Sequence, residues 1–239
     1  MTEFLVFTLA AQIASFGGLA GHERRGSDSW PGRSALIGLL GAANGTRRDD
    51  DAGQAELAAL GFAVGAYATG VPLRDYHTVQ TVPQKFKRPA TRAQALALAG
   101  DQGDLNTVIT LRDYRCGVLY AVAVWGDGAM LADLQEALRQ PRFTLYLGRK
   151  SCPLSAPVAP RIVDVEDPVR ALAKAKLPAW YPPSSGPDFI ASEWPAEMAG
   201  FRETTEWRHD EPLDRRQWHF AARQVRMHRP ARGDDGASP

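Results

Sequence analysis

The chain has 239 residues, a formal net charge of +1, 44% hydrophobic residues and 23% charged residues. These values are typical of a globular protein with one large or two small domains, and they exclude a wholly disordered chain. No apolar run approaches the roughly 20 residues of a membrane-spanning helix, and the first residues have no basic signal-peptide region. The two cysteines, Cys116 and Cys152, cannot form a disulfide framework. We therefore expect a cytoplasmic protein without a membrane partner.

The first half of the sequence alternates between strand and helix patterns. A β-rich segment at 3–9 predicts a buried strand. A helix follows, for which Ser34 is the expected N-cap and the pair Asn44-Gly45 the expected end. In chain order the next elements are a short helix at 55–60 and strands at 62–67, 73–80 and 106–111.

The segment between the last two of these strands is polar, basic and rich in alanine. Residues 83–103 have no clear apolar face that would join a core. Two strand-like pieces that flank such a segment predict a hairpin arm, or thumb, over about 74–115 that projects from the body. Because isolated hairpins are marginally stable in water, we expect this arm to become ordered against a partner.

The second half repeats the alternation of strand and helix. In chain order the elements are a strand at 116–125, a helix at 129–139, a strand at 158–165 and a short helix at 169–174. Asp127 is the expected cap of the first of these helices, and Pro141 stops it.

With the arm left out, the elements follow the order β, α, β, β, α, β. This order predicts an α+β fold with a ferredoxin-like core over 1–175, the topology that RNA-recognition domains share. Aromatic residues and paired prolines without a long helix predict a small β-rich domain over 176–227. The last residues, 228–239, are rich in Pro, Gly, Asp and Ser and predict a disordered tail.

The charges are distributed unevenly along the chain. Residues 76–100 and 137–163 contain no acidic residue, and 215–229 is basic as well. A protein of balanced net charge that separates its basic stretches in this way can present a positive groove to a polyanion. Solvated basic faces without a partner are the alternative interpretation.

The segment 139–153 combines features that a single-stranded nucleic acid needs. Between Pro141 and Pro153 it mixes Arg and Lys with Phe and Tyr, and Gly148 lets a backbone approach closely. Cations bind phosphates, and a base stacked on an aromatic ring contributes about 1–3 kcal/mol. A proline-bounded loop with exposed cations is an equally simple interpretation of the same composition.

Signatures of enzymes are weak. The glycine-rich run at 38–45 lacks the Gly-Lys-Ser/Thr of a phosphate-binding loop, and no spacing of Cys and His indicates a zinc site, so we expect no cofactor. One constellation has the residue types of metal-independent RNA cleavage: Tyr76 and His77 near Lys85 and Lys87. Passive contact with phosphates is the interpretation that we favour, since more residues can touch a phosphate than can cleave beside one.

Four strings occur in order that together resemble one known family. They are PGRSALIGLLGAANGTRRDD (31–50), LRDYHTVQ (73–80), PRFTLYLGRKSCPL (141–154) and DEPLD (210–214), with TLRDYR (110–115) as the return strand of the arm. The chain thereby resembles the CasD family, the subunit of the Cascade complex of subtype I-E CRISPR systems that binds the handle of the guide RNA. The resemblance extends from the first strand to about residue 227.

The resemblance implies a non-catalytic RNA-binding subunit of an antiviral surveillance complex. Such a subunit caps the 5′ handle of the CRISPR RNA, packs its thumb against the adjacent backbone subunit and lies near the large subunit that meets target DNA. The residues within the matched strings that it assigns to RNA are Arg33, Arg74, Tyr76, His77, Arg112, Tyr146, Arg149 and Lys150. His77 would alternatively brace the base of the thumb.

Two other functional classes stay open from the residues alone. An endoribonuclease that processes CRISPR repeat RNA would use Tyr76, His77 and Lys85. A protein scaffold would use the basic stretches to meet acidic partners. Cleavage of repeat RNA distinguishes the first class, and the absence of RNA crosslinks distinguishes the second.

Overall fold

The computed structural model describes residues 1–18, 23–83, 91–101, 103, 105–181 and 186–231. The strands in this part of the chain are β1 (Thr2–Ala14), β2 (Arg24–Arg25), β3 (Gly61–Thr81), β4 (Asn106–Trp125), β5 (Arg161–Val165), β6 (Phe189–Ser192), β7 (Phe201–Asp214) and β8 (His219–Pro230). The helices are α1 (Arg33–Asn44), α2 (Asp51–Ala58), α3 (Arg92–Asp101), α4 (Gly128–Arg139) and α5 (Pro168–Leu172).

A single sheet contains all eight of these strands. Its order is β5-β1-β4-β3-β6-β8-β7, and each neighbouring pair in that order is antiparallel. The two-residue strand β2 adds a short parallel pairing with β4 at Leu111 and Arg112. The chain is therefore a mixed α/β protein built on an antiparallel sheet, as the sequence predicts at that level. Among the described residues, the helices are too short or too polar to span a membrane.

Both faces of the sheet are covered, which explains the almost continuous apolar sequence of β1. Leu5, Phe7 and Leu9 belong to the cluster that packs against α1 and α4. The alternate residues Phe4 and Val6 belong to a second cluster that contains Leu172 of α5. Because successive side chains of a strand point to opposite faces, a strand buried on both sides must be apolar at every position.

The helix ends follow the predicted signals with one exception. Gly45 ends α1 in the left-handed conformation, and the Asp127 carboxylate caps α4 by accepting from the Met130 N–H at 3.0 Å. The prediction of Ser34 as the N-cap of α1 is wrong, because the helix begins two residues earlier, with Gly32 as the cap. The carboxylate of Asp210, from β7, accepts from the Arg33 backbone N–H at 2.7 Å and supplies the missing cap.

The predicted strands on either side of the arm merge into two long strands. β3 pairs with β4 without a break in hydrogen bonding from Gly61 opposite Trp125 to Thr81 opposite Asn106, apart from one bulge between Ala66 and Ala68. The outer part of this hairpin exposes apolar side chains, among them Val71, with 69% of its surface accessible.

The connection between β3 and β4 contains the helix α3, which the sequence analysis does not anticipate. Its sequence, RAQALALAGD, is rich in alanine and buries only small side chains, Ala95 and Ala99. A helix without large apolar residues at a spacing of three and four has little hydrophobic periodicity, so the pattern that predicts helices does not detect it.

The C-terminal strands extend the main sheet. β6 pairs with β3, and β8 pairs with β6, so the region predicted as a separate small domain over 176–227 continues the sheet of the core. β8 runs to Pro230, and its His228 is fully buried opposite Ile190. The tail predicted from 228 therefore cannot begin before the end of this strand; residues 232–239 lie outside the described residues.

Candidate nucleic-acid interface

The loop at 145–153 is fixed to the end of β1. Gly148 has a φ of +83°, and a Cβ at this position would overlap the carbonyl oxygen of Ser15. The Ser15 N–H donates to the Leu147 carbonyl at 3.1 Å, and the Leu147 N–H donates to the Cys152 carbonyl at 2.8 Å. Leu147 and Cys152 are buried, and burial raises the pKa of the Cys152 thiol. The loop is therefore held to the sheet by hydrogen bonds and apolar packing, and only glycine fits its closest approach.

This anchored loop places two cations and a phenol beside β4. The Arg149 guanidinium lies over the ring of Tyr114, with 4.6 Å from its Cζ to the ring centroid. Lys150 is exposed next to it, and Tyr146 is half-buried in a bridge with Pro153. The Nη1 of Arg149 is buried and has no hydrogen-bond partner among the described residues.

Arg112 lies on the same face of β4 as Tyr114, because the two are separated by one residue of a strand. Its Nε is also buried without a hydrogen-bond partner in the described part of the chain. We call Arg112, Tyr114 and Arg149 the arginine–tyrosine cluster. Buried donors are normally satisfied, so two guanidinium nitrogens left without acceptors in this cluster indicate a place for an acceptor that the described part of the chain does not supply.

The opposite face of the same strand carries a different arrangement. Asp113 accepts from Arg74 Nε at 2.7 Å and from Arg24 Nη2 at 2.9 Å. The hydrogen bond from Arg74 and the charge and hydrogen bonds of Arg24 hold the pKa of the Asp113 carboxyl at about 2. One carboxylate thus partly neutralises two guanidinium groups at the base of the hairpin, and Arg74 is committed to an internal ion pair.

The candidate RNA residues of the arm divide between these two faces. Arg74 and Tyr76 share the face of Asp113, since Arg74 pairs with Asp113 and Tyr76 with Leu111. His77, opposite Thr110, shares the face of the arginine–tyrosine cluster. Consecutive strand residues project to opposite sides, so Tyr76 and His77 do not converge on one phosphate in the manner of a cleavage site.

The lysines that complete the cleavage hypothesis, Lys85 and Lys87, lie outside the described residues. Within the described ranges, no group of three His, Cys, Asp or Glu residues is placed to hold a metal ion.

Arg33 is not available to a nucleic acid. Its side chain is 9% exposed and lies 2.7 Å from Glu193 and 2.9 Å from Glu211. It also donates to the Leu60 carbonyl at 2.9 Å and lies over the ring of Phe62. The assignment of Arg33 to RNA is therefore a misinterpretation of a buried structural arginine.

Sequence reasoning missed two residues at the interface. Tyr114 lies within the quoted string TLRDYR, and the spacing Arg112-x-Tyr114 in a strand would have placed both on one face. Arg24 had no such signal, because its contact with Asp113 joins residues 89 positions apart.

Comparisons with known proteins agree on one class. The family described as CRISPR-associated protein (Cas_Cas5) matches residues 4–226. The CRISPR system Cascade subunit CasD of Escherichia coli (strain K12) is 32% identical over 186 residues, which are 72% of this chain and 76% of that protein. A chain of a solved CRISPR RNA-guided surveillance complex is 26% identical with a TM-score of 0.65, covering 95% of this chain and 91% of that chain.

A second solved structure, described as a Cas protein, is 27% identical with a TM-score of 0.60 and 95% of each chain covered. The protein is therefore a CRISPR-associated protein. It belongs to the Cas5 family, and its resemblance to the CasD subunit is confirmed.

Proposed function

We propose that this chain is a subunit of an RNA-guided Cascade complex that holds the 5′ handle of the CRISPR RNA without cutting it. The arginine–tyrosine cluster carries the proposal: Arg149 lies over the Tyr114 ring, Arg112 shares that face of β4, and each arginine has a buried guanidinium nitrogen without a partner among the described residues. Phosphate oxygens are acceptors for such nitrogens, and rings paired with cations suit an unpaired strand.

The surroundings of the cluster support RNA as the ligand. Lys150 and Tyr146 add a further cation and a further ring from the same anchored loop. His77 lies on the same face of the hairpin, whereas Arg74 and Tyr76 lie on the other face, so the RNA would contact both sides as it passes the base of the thumb. The relative CasD is named as a Cascade subunit, which supports assembly of this chain into a corresponding cytoplasmic complex.

We also propose that the first four strands of the sheet form a ferredoxin-like core of the RNA-recognition type. The order β5-β1-β4-β3 with antiparallel neighbours is the order that this topology requires of its fourth, first, third and second strands.

The outer hairpin then serves as the thumb. Its exposed apolar residues are Val71, Leu73, Tyr76, Val108 and Ile109. These residues lie on both faces of the hairpin, Tyr76 and Ile109 on one and Val71, Leu73 and Val108 on the other. Exposed apolar side chains on a two-stranded projection need a partner, which we take to be the adjacent backbone subunit, with the large subunit nearby.

The test is binding of a labelled RNA that carries the 5′ handle to the purified full chain at several salt concentrations. Replacing Arg112→Ala together with Arg149→Ala is expected to weaken binding by about a hundredfold at low salt, since each charge-assisted hydrogen bond contributes about 1.5–3 kcal/mol. The slope of log affinity against log salt should fall by about 0.7 for each phosphate that the variant no longer binds. The matched control, Arg161→Ala with Arg170→Ala, removes two exposed arginines from β5 and α5.

The same preparation tests the absence of cleavage. Repeat RNA incubated with the protein in EDTA should stay intact, and a discrete product that disappears in His77→Ala would establish the endoribonuclease class instead. Unchanged affinity and salt slope in the Arg112 and Arg149 double variant would refute the proposed RNA site.

A further inference from the structure

A groove lies between α2 and the turn that joins β7 to β8, on residues that the proposed RNA site does not use. Its volume is about 400 Å³. The charged and polar side chains that line it include Arg48, Asp51, Gln54, Asp214, Arg215 and Arg216. The turn beside it is held in place, because the Asp214 carboxylate accepts from the N–H groups of Arg216 and Gln217 at 2.8 Å and 3.1 Å.

The arginines of the groove differ in their partners. Arg216 is satisfied by the Asp51 carboxylate at 2.7 Å and the Asp49 carbonyl at 3.0 Å. Arg215 is half-buried and donates to the Ser34 carbonyl at 3.1 Å, and neither it nor Arg48 forms an ion pair among the described residues. Burial and the neighbouring Arg48 charge both lower the pKa of Arg215. Two adjacent cations therefore share a groove without a carboxylate of their own.

Large apolar side chains border these cations. Leu213 is 70% exposed and Trp218 is 52% exposed. The Arg48 guanidinium lies over the Trp218 ring, with 4.2 Å from its Cζ to the ring centroid. Trp218 has a φ of +56°, a left-handed conformation that is unfavourable for a bulky residue. The Trp218 ring also packs in a tilted arrangement against Phe220, with 6.0 Å between the ring centroids, and still leaves half of its surface accessible. Exposed tryptophans in strained backbone are typical of places where a partner binds.

We infer that this groove docks a neighbouring protein subunit, which places one Asp or Glu against Arg48 and Arg215 and an apolar side chain against Leu213 and Trp218. A single carboxylate needs only the two uncompensated guanidinium groups. A nucleic acid is a worse fit, because its successive phosphates would need more cations than the two uncompensated ones in this groove, and Arg216 is already paired with Asp51. Arginine and tryptophan are also the residues most enriched in the energetic centres of protein interfaces.

That the partner is a subunit of the same ribonucleoprotein complex rests on the proposed function. The test starts from the complex assembled from this full chain, the other CRISPR-associated proteins of its system and a guide RNA. A photo-crosslinking amino acid at position 213 should join a protein subunit through a peptide that carries Asp or Glu beside an apolar residue. A crosslink to RNA, to a second copy of this chain, or no crosslink at all overturns the inference.

Charge and apolar contacts are separated by two variants. Arg48→Glu and Leu213→Ser should each reduce the amount of the crosslinked subunit retained in the complex by about tenfold, as expected for central interface residues. The matched controls, Arg161→Glu and Trp180→Ser, change an exposed arginine and a 68% exposed tryptophan elsewhere and should retain the subunit. Full retention of the subunit in both groove variants contradicts the docking site.

A second measurement, binding of handle RNA by the isolated chain, tests the proposed function independently of the groove. The groove variants should bind the RNA with the affinity of the unmodified protein. Failure of the unmodified chain to bind RNA refutes the proposed function, whereas retention of the subunit by the groove variants refutes only the groove.

Discussion

Arginines gather at two places in this molecule, and the partners they find there are opposite in kind. In the buried arginine cluster, Arg33, Arg208 and Arg223 are each less than 15% exposed and all contact carboxylates. In the arginine–tyrosine cluster, Arg149 lies over the Tyr114 ring and Arg112 shares that face of β4, and each keeps a buried donor without an acceptor in the described part of the chain. The comparison indicates that the number of carboxylates around a guanidinium group distinguishes an arginine with a structural role from one that binds a ligand.

The buried arginine cluster ties the C-terminal strands to the core. Arg223 of β8 lies 2.6 Å from Asp210 of β7, and Arg208 lies 2.8 Å from Asp28, which precedes α1. Arg33 at the start of α1 reaches Glu193 just beyond β6. Burial raises the pKa values of Asp28 and Glu193, while the neighbouring guanidinium charges oppose that rise. The pairs hold three parts of the fold together, and removal of one partner leaves an uncompensated buried charge.

The largest expected effect is therefore on stability, from Arg33→Ala. Breaking a buried ion pair on one side costs about 3–5 kcal/mol. This change removes the guanidinium that pairs with both Glu193 and Glu211, and it leaves Arg223, at 3.0 Å, as the remaining cation beside Glu193. Urea unfolding should show that loss, with a smaller one for Arg33→Lys, which keeps the charge but not the forked geometry. Arg161→Ala is the surface control and should stay within about 0.5 kcal/mol.

RNA binding by the same variant, Arg33→Ala, tests the distinction between the two arginine clusters. Under conditions where Arg33→Ala is still folded, its affinity for handle RNA should equal that of the unmodified protein, because the Arg33 side chain is only 9% exposed and is already paired with two carboxylates. A weaker affinity in the folded variant would show that the buried cluster takes part in binding and that the distinction between the clusters is false.

Local signals in the sequence predict much of the fold. The strand patterns, the Asp127 cap and the glycine that ends α1 depend on neighbours within a few residues, and the structure has each of them. The distinction between the arginine clusters has no local signal. Glu193 lies 160 residues from Arg33 along the chain, and Asp210 caps α1 from 177 residues away. The resemblance assigns Arg33 to RNA by its position in a matched string, and nothing near it in the sequence shows the distant carboxylates that bury it.

Part of the candidate site can be predicted from the sequence. The mixture of cations and rings in 139–153 indicates the loop, and Gly148 indicates a close backbone approach. What the loop approaches, the end of β1 and Tyr114 on β4, depends on how the sheet is assembled. Contacts of that kind follow from tertiary packing and leave no periodic pattern in the loop itself.

The second largest effect is expected from Gly148→Ala, which tests whether the arginine–tyrosine cluster depends on its anchored loop. Gly148→Ala adds a Cβ that overlaps the Ser15 carbonyl and also strains a left-handed residue. Gly117→Ala, at a φ of +74° with nothing within 4 Å of the added Cβ, is the matched control. The control should lose only the roughly 1–2 kcal/mol of a left-handed alanine, and Gly148→Ala should lose more in urea unfolding.

The RNA affinities of these two variants test whether the loop positions the arginine–tyrosine cluster. Gly148→Ala should bind handle RNA about tenfold more weakly, because displacement of the loop removes Arg149 from Tyr114 and with it about one charge-assisted contact. Gly117→Ala should bind as the unmodified protein does. Equal affinities in the two variants would mean that the loop does not position the cluster.

The smallest effect concerns Asp113, whose two exposed arginine partners show the carboxylate pairing that marks the buried cluster. The pKa of its carboxyl is lowered from 3.8 to about 2, chiefly by the hydrogen bond from Arg74. A carboxyl whose pKa is lower in the folded state stabilises the fold above its unfolded pKa, and this contribution is lost as the pH falls from about 4 to about 2. Titration of the Asp113 carboxyl by NMR should give a midpoint near 2.

Arg74→Ala should raise that midpoint more than Arg24→Ala does, because the Arg74 hydrogen bond is the larger cause of the shift. A midpoint that stays near 2 in Arg74→Ala would contradict this pairing.

If the number of neighbouring carboxylates determines the role of an arginine, Arg74→Ala must also weaken RNA binding less than Arg149→Ala does, even though Arg74 is the more exposed of the two. Accessibility alone predicts the reverse order, so these two variants decide between the explanations.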